Sequence, residues 1–105
     1  MGLVAPAHIT VELREEPQAE RVVRRFRLTT AIGPESIELR RPVQWPPSRP
    51  LFVRFRLPGT ERLIECRATT AGDEEGACRT LELWDLGDEE RALILAYVVN
   101  RLGLD

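Results

Sequence analysis

The stretch "RPLFVRFRLPGTERLIECRATT", Arg49 to Thr70, decides the fold. Leu51, Val53, Phe55 and Leu57 fall at every second position, with Arg54 and Arg56 between them. That period belongs to a strand with one face in a core and one in water. Pro58-Gly59 follows as a tight turn: proline presets φ at the first central position and glycine supplies a positive φ at the second. Arg62 to Thr70 then runs back with Ile64, Cys66 and Ala68 on the inner face. The stretch is a β-hairpin with an apolar inside and an arginine-bearing outside.

The same alternation extends upstream. In "HITVELR", His8 to Arg14, Ile9, Val11 and Leu13 share one face. Glu15 to Glu20 holds Pro17 and reads as a loop. Arg21 to Ile32 reads mostly as strand, with Val22, Phe26, Leu28, Thr30 and Ile32 inward and Arg25 and Arg27 outward. Arg24 breaks that phase, which predicts a bulge or a late strand start. Gly33-Pro34-Glu35-Ser36 is a turn, and Ser36 to Arg40 a short strand with Ile37 and Leu39 inward. "RPVQWPPSRP", Arg41 to Pro50, predicts an extended loop across one end of the sheet, because its prolines forbid a helix and a central strand. Val43 and Trp45 are its residues worth burying.

Downstream of the hairpin, Ala71 to Ala77 is an acidic loop, and Cys78 to Trp84 a last strand with Leu81 and Leu83 inward. The period then changes to that of a helix over about residues 88–102. Asp88 is the expected N-cap, Glu89 and Glu90 suit the positive end of the dipole, Arg101 suits the negative end, and Gly103 is the expected stop. This helix has two apolar faces. Ala92, Leu95, Ala96, Val99 and Leu102 form one; Leu93, Ile94, Tyr97 and Val98 form much of another. A helix capping a small barrel needs one stripe. The expectation is that Leu93, Ile94, Tyr97 and Val98, with outward-phase Trp84, form an interface for dimerisation or a protein partner.

Six antiparallel strands and one helix predict an all-β barrel or sandwich with a C-terminal α-helix. A chain of 105 residues suits one domain, with the barrel over about 8–86. Its net charge of −2 argues against a general polyanion binder, although all 15 basic residues are arginine. No leader or apolar span is evident, which predicts a cytoplasmic protein. Cys66 and Cys78 predict free, buried thiols rather than a bridge. With His8 as the single histidine and no nucleophile–base pair or phosphate-cradling loop, neither a metal site nor catalysis is expected.

This layout resembles the PilZ domain, a six-stranded barrel followed by a helix. "RPLFVRFRLPGTERLIECRATT" looks like that family's central hairpin, and "LELWDLGDEERALILAYV" like its closing strand, Asp-Leu step and acidic helix start. The resemblance implies a non-catalytic regulatory module of bacteria whose usual ligand is cyclic di-GMP. Family members grip it with an Arg-x-x-x-Arg arm ahead of the first strand and an (Asp/Asn)-x-Ser-x-x-Gly turn. In "TTAIGPESIEL", Thr29 to Leu39, Ala31, Gly33 and Ser36 stand at the three signature positions, so all three signature side chains are absent. Met1 to Ala7 holds no arginine. The expectation is no bound cofactor, and an adaptor acting through protein partners, with surface motility or type IV pilus control as the pathways implied by degenerate relatives. Two alternatives remain open: an atypical cyclic di-GMP site at Arg21, Arg24 and Arg25, and a nucleic-acid-binding barrel using Arg25, Arg27, Arg54 and Arg56 with Phe52.

Overall fold

A computed structural model describes residues 3–15, 24–45, 50–70 and 77–103. Pro17, Arg21, Val22, Pro46, Pro47 and the acidic loop residues Asp73 to Glu75 lie outside the described residues.

Seven strands and one helix follow in order: β1 (Ala5–Pro6), β2 (Thr10–Arg14), β3 (Arg25–Ile32), β4 (Ser36–Gln44), β5 (Leu51–Arg56), β6 (Leu63–Thr70), β7 (Ala77–Trp84) and α1 (Asp88–Leu102). Neighbours run β3-β2-β5-β6-β7-β4, and β4 also pairs with β3, so six strands close on themselves. Closure leaves none of the six with a free edge. The short β1 adds to one end of β3, where Ala5 pairs with Ile32 and Pro6 with Ala31.

The β5–β6 hairpin matches its sequence pattern residue for residue. Leu51, Val53, Phe55, Leu57, Ile64, Cys66 and Ala68 are all buried, and Gly59 takes the positive φ, at 81°. β3 departs from expectation. Phe26 and Leu28 are 57 % and 45 % exposed, whereas Thr29 is fully buried. A register shift between Thr29 and Ala31 flips the phase, so only the residues after it keep the expected side. Buried Thr29 is satisfied: its hydroxyl donates to the Ala7 carbonyl at 2.6 Å and accepts from the Ile9 N–H at 3.1 Å.

β4 is also longer than expected and continues through Pro42 to Gln44. Its pairing with β7 shifts between Glu38 and Val43, so Pro42 sits in the irregularity, where no ladder donor is needed. Val43 and Trp45 are buried as expected.

The helix starts one residue earlier in its caps than expected. Gly87 is the N-cap, without a side-chain cap hydrogen bond, and Asp88 is the first helical residue. Gly103 ends it in the left-handed region at φ 68°. Ile94 and Val98 are fully buried in the barrel core, and Leu93 and Tyr97 pack against that core. This overturns the expected interface of Leu93, Ile94, Tyr97 and Val98: that face caps the barrel. Its larger β-branched and aromatic side chains fill the barrel's open end, which the alanine-bearing face would leave underpacked. The outward side instead carries Leu95 and Leu102, at 43 % and 38 % exposed, with Ala92 and Ala96.

Candidate functional site

Three places on the molecule bear on function: the turn after β3, the arginines at the start of β3, and the outer wall across β2, β5, β6 and β7.

The turn holds all three altered signature residues. Ala31 is half-buried between Pro6 of β1 and Glu38 of β4. The Gly33 N–H donates to the Ser36 carbonyl at 2.8 Å, and Ser36 lies opposite Glu82. A side chain at Gly33 has no room, since its Cβ would fall on the Leu3 carbonyl and within 2.9 Å of Val4 Cγ1. The chain's own N-terminal segment therefore sits where a serine would project. Beside the turn is a cavity of about 540 Å³ lined by Val4, Glu35, Ser36, Glu38, Thr80, Glu82 and Leu83. Among the described residues that line it are three carboxylates and no cation, a set that repels phosphate.

Arg24 and Arg25 do not reach this turn. Arg25 stands seven residues before Ile32, which is about 23 Å along a strand. Its guanidinium donates to the Gln44 carbonyl at 2.8 Å and lies 5.3 Å from the centre of the buried Trp45 ring. Arg24 lies 3.8 Å from Glu12. Arg25 thus ties β3 to β4 and covers a tryptophan; Arg21 lies outside the described residues.

The outer wall carries a row that the sequence pattern alone did not assemble. Arg14 of β2 is opposite Phe52 of β5, Phe52 opposite Arg67 of β6, and Arg67 opposite Trp84 of β7. The Arg67 guanidinium lies between two rings, 5.5 Å from the centre of Phe52 and 5.3 Å from that of Trp84. Trp84 is 46 % exposed, as its phase predicted, but its ring is engaged on the barrel wall. The Pro58-Gly59 turn could have paired Phe52 with Arg67; adding Arg14 and Trp84 requires the register of two more strand pairs. The second row consists of Glu12, Arg54 and Glu65.

Between the rows lies a groove of about 260 Å³, lined by Arg14, Phe52, Val53, Arg54, Glu65, Cys66, Arg67 and Asp85. Burial, with Asp85 adding to it, pushes the Cys66 thiol up to about 12, so it stays neutral and unreactive. Cys66 is a free cysteine, and strand register sets Cys78 opposite Val43 of β4, away from it. Among the described residues no cluster could hold a metal ion, and no helix is long and apolar enough to cross a membrane.

No protein-family model matches the sequence, and no curated protein is similar to it by sequence. Solved structures do match. The inhibitor of motility MotI/DgrA of Bacillus subtilis superposes with a TM-score of 0.68 at 22 % identity, over 97 % of this chain and 50 % of that one. This chain thus spans about half the length of MotI/DgrA. The PilZ domain of CeSA from a cellulose-synthesizing bacterium superposes with a TM-score of 0.54 at 20 % identity, over 96 % of both chains. A closed six-stranded antiparallel barrel with one further short strand and a C-terminal helix, matching these structures over nearly its whole length, has the PilZ fold.

Proposed function

We propose that this chain is a non-catalytic regulatory module that works through a protein partner and does not read cyclic di-GMP at the turn after β3. The observation that carries this reading is the acidic cavity at that turn. Glu35, Glu38 and Glu82 place negative charge beside the turn, which disfavours an anionic ligand there, and Leu3 and Val4 crowd Gly33. A cyclic dinucleotide needs convergent donors and cations for each phosphate and base edge. Leaving several such groups unpaired removes most of the roughly 8 kcal/mol that a micromolar affinity represents.

The partner surface in this reading is the outer face of α1, with Ala92, Leu95, Ala96 and Leu102 exposed. The inhibitor of motility among the fold neighbours makes motility the first setting to test; type IV pilus control in the bacterial cytoplasm follows as the second, on the resemblance to degenerate PilZ domains alone.

Calorimetry with cyclic di-GMP at moderate salt should show no saturable binding; a stoichiometric micromolar affinity overturns the reading. Leu95→Glu with Leu102→Glu should abolish partner capture, or shift the species seen by light scattering, with the fold intact. Ile94→Glu should instead unfold the protein, because it puts an unpaired charge in the core.

A further inference from the structure

The first half of β3 turns Phe26 and Leu28 to solvent, and Phe26 is the most exposed large apolar side chain among the described residues. On one side Phe26 is opposite Glu12 of β2, and Leu28 opposite Thr10. On the other side buried Thr29 pairs with buried Leu39, so the next step of that ladder sets exposed Leu28 beside exposed Arg40 of β4. A hollow of about 440 Å³ opens next to Phe26, with Ile9, Thr10 and Leu63 in its lining. Glu12, Arg54 and Arg56 supply its charged lining. The hollow has room for an apolar side chain from outside the molecule.

Arginines surround this apolar pair. The irregular pairing of β4 with β7 sets Leu39 to Pro42 against the single residue Arg79. Arg40 and Arg41 in that bulge are exposed, and the Arg79 Nε donates to the Leu39 carbonyl at 3.3 Å, next to Arg40. Arg24, Arg25 and Arg27 flank Phe26 along the chain. Arg25 and Arg27 donate to the main-chain carbonyls of Gln44 and Phe26, which leaves their charges uncompensated. Among the described residues Arg24 alone of these six is ion-paired, with Glu12, which it shares with Arg14. Setting Glu12, Glu15 and Glu38 of the same stretch of wall against the six still leaves three positive charges in excess. Like charges facing one another across strands cost stability. A bulge that carries them is a common device for aiming side chains at a binding surface.

We propose that this face of β3 and β4 docks a short acidic segment of a protein partner, with one apolar side chain as its anchor. The anchor packs against Phe26 and Leu28 over the hollow, and carboxylates on either side of it pair with Arg40, Arg41 and Arg79. Glu12 and Glu65 bound the patch across β2 and β6, and Glu35 and Glu82 bound it toward the turn. A long polyanion or a broad anionic membrane surface meets those carboxylates, whereas a short segment does not. The choice of a protein as occupant rests on the reading of the chain as a partner-binding module; the surface itself is separate from α1.

The test titrates the full chain with a capped peptide, Glu-Asp-Leu-Phe-Asp-Glu, and follows amide NMR shifts. The controls are its uncharged counterpart, Gln-Asn-Leu-Phe-Asn-Gln, a thymidine dodecamer, and vesicles of phosphatidylglycerol with phosphatidylcholine. The expected result is saturable one-to-one binding of the acidic peptide, with shifts centred on Phe26, Leu28 and Arg40. The uncharged peptide should bind roughly tenfold or more weaker, and added salt should weaken the acidic peptide, since exposed charges are screened over about 8–10 Å. Arg40→Glu with Arg41→Glu should reduce affinity by roughly tenfold or more, because two attractions become repulsions. Phe26→Ser is the second variant; all three side chains are exposed, so the core is untouched. Absence of saturable binding by the acidic peptide overturns the proposal. So does affinity that both variants leave unchanged, or equal binding of the uncharged peptide. Tighter binding of the dodecamer or of the vesicles through the same residues overturns it in favour of that occupant. Neither α1 nor cyclic di-GMP takes part in the titration, so its failure leaves the reading of α1 standing, and loss of that reading leaves the peptide result intact.

Discussion

Two parts of one barrel wall have opposite chemistry. Around the turn after β3, Glu35, Glu38 and Glu82 line a cavity with no cation among its described lining residues, and the N-terminal segment crowds the backbone. Across β2, β5, β6 and β7, arginines alternate with aromatic rings, from Arg14 through Phe52 and Arg67 to Trp84. Both are outward rows of the same closed sheet, and closure constrains only the inner face. The outer face is free to change sign from one strand pair to the next, so the fold says little about which side attracts an anion. Net charge of −2 conceals this division, because it averages the two walls.

The contrast can be broken or sharpened by experiment, beginning with the largest expected effect. Cys66 forms part of the groove floor, and its thiol is pushed up to about 12 by burial. At pH 8 the thiolate fraction should be roughly a thousandfold below that of an ordinary cysteine. In a Cys78→Ala variant, alkylation of the native protein should therefore be slow and should accelerate on unfolding. Rapid alkylation of the folded chain would show that the floor is open. Next, the turn can be given its missing side chains with Ala31→Asp, Gly33→Ser and Ser36→Gly. Gly33→Ser alone should cost about 1–3 kcal/mol in urea unfolding, because its Cβ meets the Leu3 backbone. The triple variant should still not bind cyclic di-GMP; binding would remove the acidic wall as the obstacle.

Arg67→Ala should lose about 1–2 kcal/mol, since one guanidinium serves two rings at an exposed site. Unchanged stability would mean that the row on this wall is only a surface arrangement. The smallest effect should come from the link between the hairpin and the helix. The Glu90 carboxyl is held below the usual range, first by its own backbone N–H and then by Arg62. A lowered carboxyl favours the folded state above the unfolded carboxylate range and loses that contribution as pH falls through its folded value. Glu90→Gln should slightly flatten the acid limb of a stability–pH curve and change nothing near neutrality beyond the lost pair. A steeper acid limb would contradict the direction of the shift.

Much of this fold was legible in the residues themselves. The β5–β6 hairpin needed only alternation and the Pro58-Gly59 turn, because both strands bury one face along their whole length. The helix limits were legible within a residue because capping chemistry marks both ends: Asp88, Glu89 and Glu90 at its start and Gly103 at its stop, although Gly87 proved to be the N-cap. β3 was not, because its apolar residues continue in one phase through a bulge that only pairing with β4 creates. The altered turn was legible as a loss of signature side chains. The acidic cavity was not, because Glu82 reaches it from β7 across the register with Ser36.

The sequence by itself determined an antiparallel all-β class, the hairpin and the helix, since each depends on residues close together along the chain; the barrel and the loss of the nucleotide signature were read from the resemblance to the PilZ domain. Tertiary structure alone decided which apolar face of α1 is buried. Both faces have helical spacing, and only the shape of the open barrel end selects Ile94 and Val98 over Leu95 and Leu102. It also decided the arginine–aromatic row, because Arg14, Phe52, Arg67 and Trp84 come from four strands and meet only when three registers hold at once. Local periodicity says which side of an element is apolar; what that side faces is a property of the whole packed chain.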